Sequence, residues 1–143
     1  MATAPFQLLL VDEDEAARDL VRCLLPAGYI VYEANEGRTA LELARLHPPD
    51  CILLNWQLTD IEALALIQLW SAARIPVIVL TEAPSPQTVA PAMAQGAQDY
   101  LIKDQLSTGL LEQTIADAKA NGRNTGHIVA GSAQKFSDQF DCG

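Results

Sequence analysis

The chain has 143 residues, of which 50% are hydrophobic, and its 9 basic and 18 acidic residues give a formal net charge of −9. This length suffices for one domain with a single hydrophobic core. The acidic balance argues against nucleic acid or an anionic membrane as a direct partner. No apolar run approaches the roughly 18 to 20 residues of a membrane-spanning helix, and no secretion signal precedes the first strand, so we expect a soluble cytoplasmic protein.

Cysteine and histidine are too sparse to predict a metal or redox site. Cys23, Cys51 and Cys142 are far apart and lack CxxC spacing, so we expect buried or incidental thiols in a reducing compartment. Neither His47 nor His127 has a cysteine or histidine at ligand spacing. We therefore expect His47 to be a surface residue at a helix end.

Two kinds of segment alternate along the chain. Short apolar runs predict strands at residues 6–11, 29–34, 51–55, 76–80 and 98–102. Apolar residues at helical spacing predict helices at residues 16–25, 39–47, 61–73, 85–95 and 107–120, the fourth weakened by Pro91. Strict alternation of five such pairs predicts an α/β fold, (βα)5, with a single doubly wound five-stranded parallel sheet and five helices.

Helical spacing also predicts which side chains are buried. The predicted faces are Ala16, Ala17, Leu20, Val21, Leu24 and Leu25 in the first helix, Ala40, Leu41, Leu43, Ala44 and Leu46 in the second, and Leu110, Leu111, Ile115 and Ala118 in the last. Residues 122–143 are polar and show no period. We expect a flexible polar tail or linker there, after a domain at residues 1–121.

Polar residues stand where the predicted strands end. Asp12 and Glu13 follow the first strand, Asn55 ends the third, and Thr81 and Lys103 follow the fourth and fifth. The carboxyl ends of parallel strands meet at one edge of the sheet, where ligand sites of open α/β sheets form. Acids that can hold a divalent cation, together with a hydroxyl and a lysine, predict a site that handles an anion.

This pattern, with Tyr100 on the last strand, resembles the receiver (response regulatory) domain of bacterial response regulators, the CheY-like family. The resemblance implies a flavodoxin-like receiver fold and a role in two-component (phosphorelay) signal transduction. In that family two acids and a backbone carbonyl bind Mg²⁺, and an aspartate on the third strand takes a phosphoryl group from a phosphohistidine. A threonine and a lysine contact the phosphoryl oxygens, and an aromatic residue on the fifth strand turns inward on activation.

The resemblance assigns these roles to seven positions of the sequence. The metal ligands would be Asp12, Glu13 and the carbonyl of Gln57, the phosphoryl contacts Thr81 and Lys103, the switch aromatic Tyr100, and the acceptor position Asn55. A neutral carboxamide is a very poor nucleophile, so we predict no stable phosphorylation of Asn55. Its amide oxygen can still face a cation, but loss of one negative charge predicts a weakened Mg²⁺ site.

Three further positions depart from the family pattern. Glu82 follows Thr81 where a small residue is usual, Thr59 replaces a common proline, and Ala63 replaces a glycine. A carboxylate at position 82 would repel a phosphoryl anion. Together with Asn55, these departures favour a degenerate, or pseudo-receiver, site. The alternative is a conventional phosphoaccepting receiver domain in which Asn55 is an engineered replacement of Asp.

The resemblance favours a regulatory protein-interaction module that signals without phosphorylation and is not an enzyme. The expected contact surface is residues 85–120, which would bind a sensor histidine kinase or another signalling protein. The resemblance is also compatible with a homodimer. A hydrolase using the same acidic pocket lacks a nucleophile and base pair, and no glycine-rich phosphate loop is present.

Overall fold

Five parallel strands form one sheet in the computed structural model, which describes residues 5–122. The strands are β1 (Phe6–Val11), β2 (Tyr29–Ala34), β3 (Cys51–Asn55), β4 (Val77–Thr81) and β5 (Asp99–Ile102). Their order in the sheet is β2-β1-β3-β4-β5, and every neighbouring pair is parallel. The predicted fold class is therefore confirmed.

A helix follows each strand along the chain. The helices are α1 (Glu15–Leu24), α2 (Gly37–Leu46), α3 (Ala63–Ala72), α4 (Pro86–Ala94) and α5 (Thr108–Gly122), and a 3-10 turn at Lys103–Gln105 lies between β5 and α5. Pro91 lies inside α4 without ending it. Helix α2 begins two residues before the predicted start, because the carboxylate of Asp60 accepts hydrogen bonds from the backbone amides of Gly37 and Arg38.

The sheet separates two layers of hydrophobic core. Alternate residues of β3 point to opposite faces, so Ile52 and Leu54 pack with side chains of α2, α3 and α4, while Leu53 packs with those of α1 and α5. Every residue of β3 and β4 is buried. Helices on both faces explain why the central strands are continuous apolar runs rather than alternating ones.

The predicted helix faces are correct in part. In α5 Leu111, Ile115 and Ala118 are buried as predicted, and Leu110 is half-buried. Three predictions are wrong, because Ala16 in α1 is exposed, Leu20 in α1 is 48% exposed and Leu46 at the end of α2 is 54% exposed.

The α1 error has a geometric cause. Ala17, Val21 and Leu24 are spaced i, i+4 and i+7 and form the stripe that faces the sheet. Ala16 and Leu20 lie beside this stripe and are exposed, so the buried face is narrower than the apolar pattern.

The predicted tail at residues 122–143 lies outside the described residues, apart from Gly122 at the end of α5. None of the helices within residues 5–122 is long and apolar enough to cross a membrane.

Candidate functional site

A polar cleft lies at the carboxyl edge of the sheet. Strands β1 and β3 are neighbours, but the chain continues from β1 to β2 on one side and from β3 to β4 on the other. Such a reversal opens a crevice between the two strand ends. The residues that line it include Asp12, Glu13, Asn55, Gln57, Thr59, Glu82 and Lys103, and Thr81 lines the adjoining part. The structure thus brings the predicted metal and phosphoryl positions together.

Asp12 and Lys103 form an ion pair in this cleft. The Lys103 Nζ donates to Asp12 Oδ2 at 2.7 Å, and the backbone amide of Asp14 donates to Asp12 Oδ1 at 3.0 Å. Asp12 is 1% exposed, and the 3-10 turn that begins at Lys103 positions the lysine next to it. Both carboxylate oxygens of Asp12 therefore have partners within the protein. The backbone carbonyl of Asp12 also accepts a hydrogen bond, from Arg18 Nη1 at 2.7 Å.

Glu13 contacts the loop that follows β3. Its Oε2 accepts hydrogen bonds from both the backbone amide of Thr59, at 2.6 Å, and the Thr59 hydroxyl, at 2.7 Å. Two donors on one carboxylate oxygen hold this exposed side chain against the loop.

Asn55 donates its side-chain Nδ2 to the backbone carbonyl of Gln57 at 2.7 Å. Asn55 is 9% exposed, at the end of a buried strand. A carboxylate has no hydrogen to donate, so an ionised aspartate at position 55 could not make this contact. The amide group thus makes a contact with the backbone that an ionised aspartate at this position could not make.

The remaining predicted residues occupy different positions. Thr81 is buried at the end of β4, and Glu82 is exposed at the edge of the cleft, near the predicted phosphoryl position. Tyr100 is buried in β5 and faces the core. Burial raises the pKa of Tyr100, and the negative charge of Asp99 raises it further. His47 is exposed at the end of α2, as predicted, and stacks on Tyr32.

Sequence reasoning missed Asp60. Its Oδ1 and Oδ2 accept hydrogen bonds at 2.9 Å from the backbone amides of Gly37 and Arg38. Desolvation of the carboxylate opposes its ionisation, but these backbone hydrogen bonds prevail and lower the pKa of Asp60. No local pattern indicates this contact, because its partners are 22 and 23 residues away.

Several oxygens that a divalent cation would use are engaged by donors of the protein. The oxygens of Asp12, the Oε2 of Glu13 and the Gln57 carbonyl all accept hydrogen bonds from protein donors. A Mg²⁺ ion takes oxygen ligands in near-octahedral geometry and would have to compete with these donors. Within residues 5–122, no cluster of three or more His, Cys, Asp or Glu side chains is suited to holding a metal ion.

The fold and the cleft are those of a (βα)5 module with a polar cleft at the carboxyl edge of its sheet. The family model for the response regulator receiver domain matches residues 8–115. The chain therefore belongs to the response regulator receiver domain family, whose members serve two-component signalling, typically bind Mg²⁺ at the phosphorylation site, and interact with histidine kinases and other signalling proteins.

Curated relatives and solved structures support this membership. The transcriptional regulatory protein ZraR of Salmonella typhimurium is 31% identical over 140 residues, which cover 95% of this chain and 32% of that protein. The response regulator MprA of Mycolicibacterium vanbaalenii is 35% identical, over 85% of this chain and 52% of that protein. The chain thus spans about a third to a half of these two relatives.

Among solved structures, the chemotaxis response regulator CheY4 of Vibrio cholerae has a TM-score of 0.70 and 25% identity, covering 80% of this chain and 98% of that one. A putative response regulator from Chloroflexus aurantiacus has a TM-score of 0.75 and 26% identity, covering 81% and 98%.

Proposed function

We propose that this chain is a pseudo-receiver, a regulatory protein-interaction module that signals without phosphorylation. The observation that carries the proposal is the hydrogen bond from Asn55 Nδ2 to the Gln57 carbonyl. Position 55 offers an amide that is a poor nucleophile and that is also engaged with the backbone. Glu82 at the edge of the same cleft adds a negative charge that opposes an incoming phosphoryl anion.

The proposed partner is a sensor histidine kinase or another cytoplasmic signalling protein, which would bind the surface of residues 85–120. Only part of the apolar content of this segment is buried, since Met93 and Leu106 are half-buried while Tyr100 and Ile102 are in the core. The net charge of −9 supports a protein partner over nucleic acid or an anionic membrane. We propose that residues 1–121 form the receiver domain and that this domain has no enzymatic activity. A homodimer is compatible with the proposal.

Any binding of Mg²⁺ by Asp12, Glu13, Asn55 and the Gln57 carbonyl is proposed to be weak. A cation would have to displace the Lys103 ammonium from Asp12 and the Asn55 amide from Gln57. It would also find one carboxylate fewer than the family site provides.

A phosphodonor assay tests the proposal. The chain is incubated with Mg²⁺ and acetyl phosphate, and its intact mass is followed by mass spectrometry beside a known phosphoaccepting receiver domain as positive control. We expect the mass of this chain to stay unchanged while the control gains a phosphoryl group. A phosphorylated fraction on this chain comparable to the control would contradict the proposal.

A further inference from the structure

The hydrogen bonds in the cleft occupy the oxygens that a cation would need. Lys103 Nζ is on Asp12 Oδ2, the donors of Thr59 are on Glu13 Oε2, and Asn55 Nδ2 is on the Gln57 carbonyl. In each contact the positive end of an N–H or O–H bond points at the oxygen, as a cation would. Donors of the protein therefore engage these oxygens, and among them the Lys103 ammonium carries a positive charge.

Thr59 is the least expected of these donors. It provides two hydrogen bonds to one oxygen of Glu13, at 2.6 and 2.7 Å. The proline common at this position in the family has neither a backbone N–H nor a hydroxyl, so it could provide neither bond. A threonine at this position thus gives Glu13 two hydrogen-bond donors that a proline would lack.

The loop that carries Thr59 is also held from its other side. We call residues 56–62 the β3–α3 loop. The next residue in it, Asp60, binds the two amides at the start of α2, at 2.9 Å each. A Cβ atom added to Gly37 would lie 3.2 Å from Asp60 Oδ1 and 3.0 Å from the Ile61 Cβ, so Gly37 permits this close approach. The loop therefore connects Glu13 on one side with α2 on the other.

We propose that Thr59 is a positioning residue that holds Glu13 on the β3–α3 loop and so withholds it from a cation. This inference rests on the proposed function and deepens it. The neutral side chain of Asn55 brings one negative charge fewer to attract Mg²⁺. Thr59 engages a second candidate ligand, the carboxylate of Glu13. The two departures engage different oxygens of the cleft.

The test is a Mg²⁺ titration of the full chain in an Asn55→Asp background, followed by the fluorescence of Trp56, which lines the cleft. Thr59→Ser keeps both donors, Thr59→Val keeps the amide alone, and Thr59→Pro keeps neither. We expect Ser to match the parent, Val to bind Mg²⁺ about threefold more tightly, and Pro about tenfold more tightly, since a typical net hydrogen bond contributes a free energy worth about a few-fold in an equilibrium constant.

Thr108→Pro in the same background is the matched control. Thr108 is the first residue of α5 and lines neither part of the cleft, and proline is accepted at that helix position. Its Mg²⁺ affinity should equal that of the parent. If Thr59→Pro fails to fold, the comparison of Thr59→Val with Thr59→Ser decides.

Equal affinities across the Thr59 series, or an equal change in the Thr108→Pro control, would overturn the inference. Neither result bears on whether the unaltered chain is phosphorylated, which the phosphodonor assay measures separately. Failure of the inference is thereby distinguishable from failure of the proposed function.

Discussion

At the scale of single residues, one amide in place of a carboxylate changes both charge and hydrogen bonding in the cleft. The nitrogen of Asn55 gives the Gln57 carbonyl a donor at 2.7 Å. An aspartate there would remove that donor and add a negative charge beside Asp12 and Glu13. Replacing the Asn55 amide with a carboxylate would therefore change both the nucleophilicity of this side chain and the affinity of the cleft for a cation.

Asn55→Asp should raise Mg²⁺ affinity more than it restores phosphorylation. We expect the affinity for Mg²⁺ to rise about tenfold because the substitution adds a charged ligand. Phosphorylation by acetyl phosphate should stay well below that of a conventional receiver domain, because Glu82 remains at the cleft. Mg²⁺ titration and intact mass spectrometry measure the two effects, and full phosphorylation of this single variant would contradict the degenerate-site account.

Lys103→Met should destabilise the fold. Its partner Asp12 has a side chain only 2% exposed, and a buried charge left without its partner costs about 3 kcal/mol. Arg45→Met is the control, because Arg45 and Glu42 form an exposed pair whose loss should leave the free energy of unfolding nearly unchanged. Urea unfolding monitored by circular dichroism gives both values, and equal losses for the two variants would show that the Asp12 pair does not stabilise the fold.

The positions of the site residues could be predicted from the sequence, but their contacts could not. Asp12, Asn55 and Lys103 stand directly at strand ends, so the strand pattern places them at one edge. The bond between Glu13 and Thr59 joins residues 46 apart, and it depends on how two loops meet in space. Such a contact carries no periodic signal in the chain.

At the scale of secondary-structure elements, the turn between α4 and β5 depends on one glycine. Gly96 has a φ of +115°, and a Cβ added there would collide with the side chain of Ser71 on α3. Gly96→Ala should therefore lower the free energy of unfolding by about 2 kcal/mol. Gly109→Ala in α5 meets nothing within 4 Å and should raise it by about 0.5 kcal/mol. Urea unfolding of both variants checks this, and a Gly96→Ala variant as stable as the parent would contradict the close packing of the turn.

The contact between Asp60 and α2 should make stability depend on acid pH. The folded pKa of Asp60 is lowered, so its contribution is present above the unfolded value of about 3.9 and is lost as the pH falls through the folded value. Asp60→Asn should therefore flatten the dependence of the unfolding free energy on pH below about pH 4. Urea unfolding from pH 2 to 6 measures it (roughly the range in which carboxyl groups titrate), and acid curves of equal slope would contradict the assignment.

Element types were predictable because five apolar runs and five helical patterns alternate without ambiguity. The burial of individual helix faces was harder to predict, since Leu20 and Leu46 fit the apolar pattern and are nevertheless exposed. Periodicity shows which residues share a face but not how wide the contact with the sheet is. The 3-10 turn at Lys103–Gln105 was not predicted either, because three residues are too few to show a period.

At the scale of the whole molecule, the fold is that of a receiver domain. The sheet order, the helices on both faces and the buried Tyr100 preserve the architecture. At the ends of β1 and β3, internal hydrogen bonds engage Asp12, Glu13 and the Gln57 carbonyl. Under the proposed function, such a domain would bind its partner through its surface and would not depend on a ligand in the cleft.

The most direct test of this account is a titration of the unaltered chain with beryllofluoride in the presence of Mg²⁺. Beryllofluoride resembles a phosphoryl group, and Trp56 at the cleft reports its binding by fluorescence. We expect no saturable change, with the circular dichroism spectrum of the fold intact throughout. A saturable response would show that the cleft still recognises a phosphoryl-like anion, and it would contradict signalling by protein contact alone.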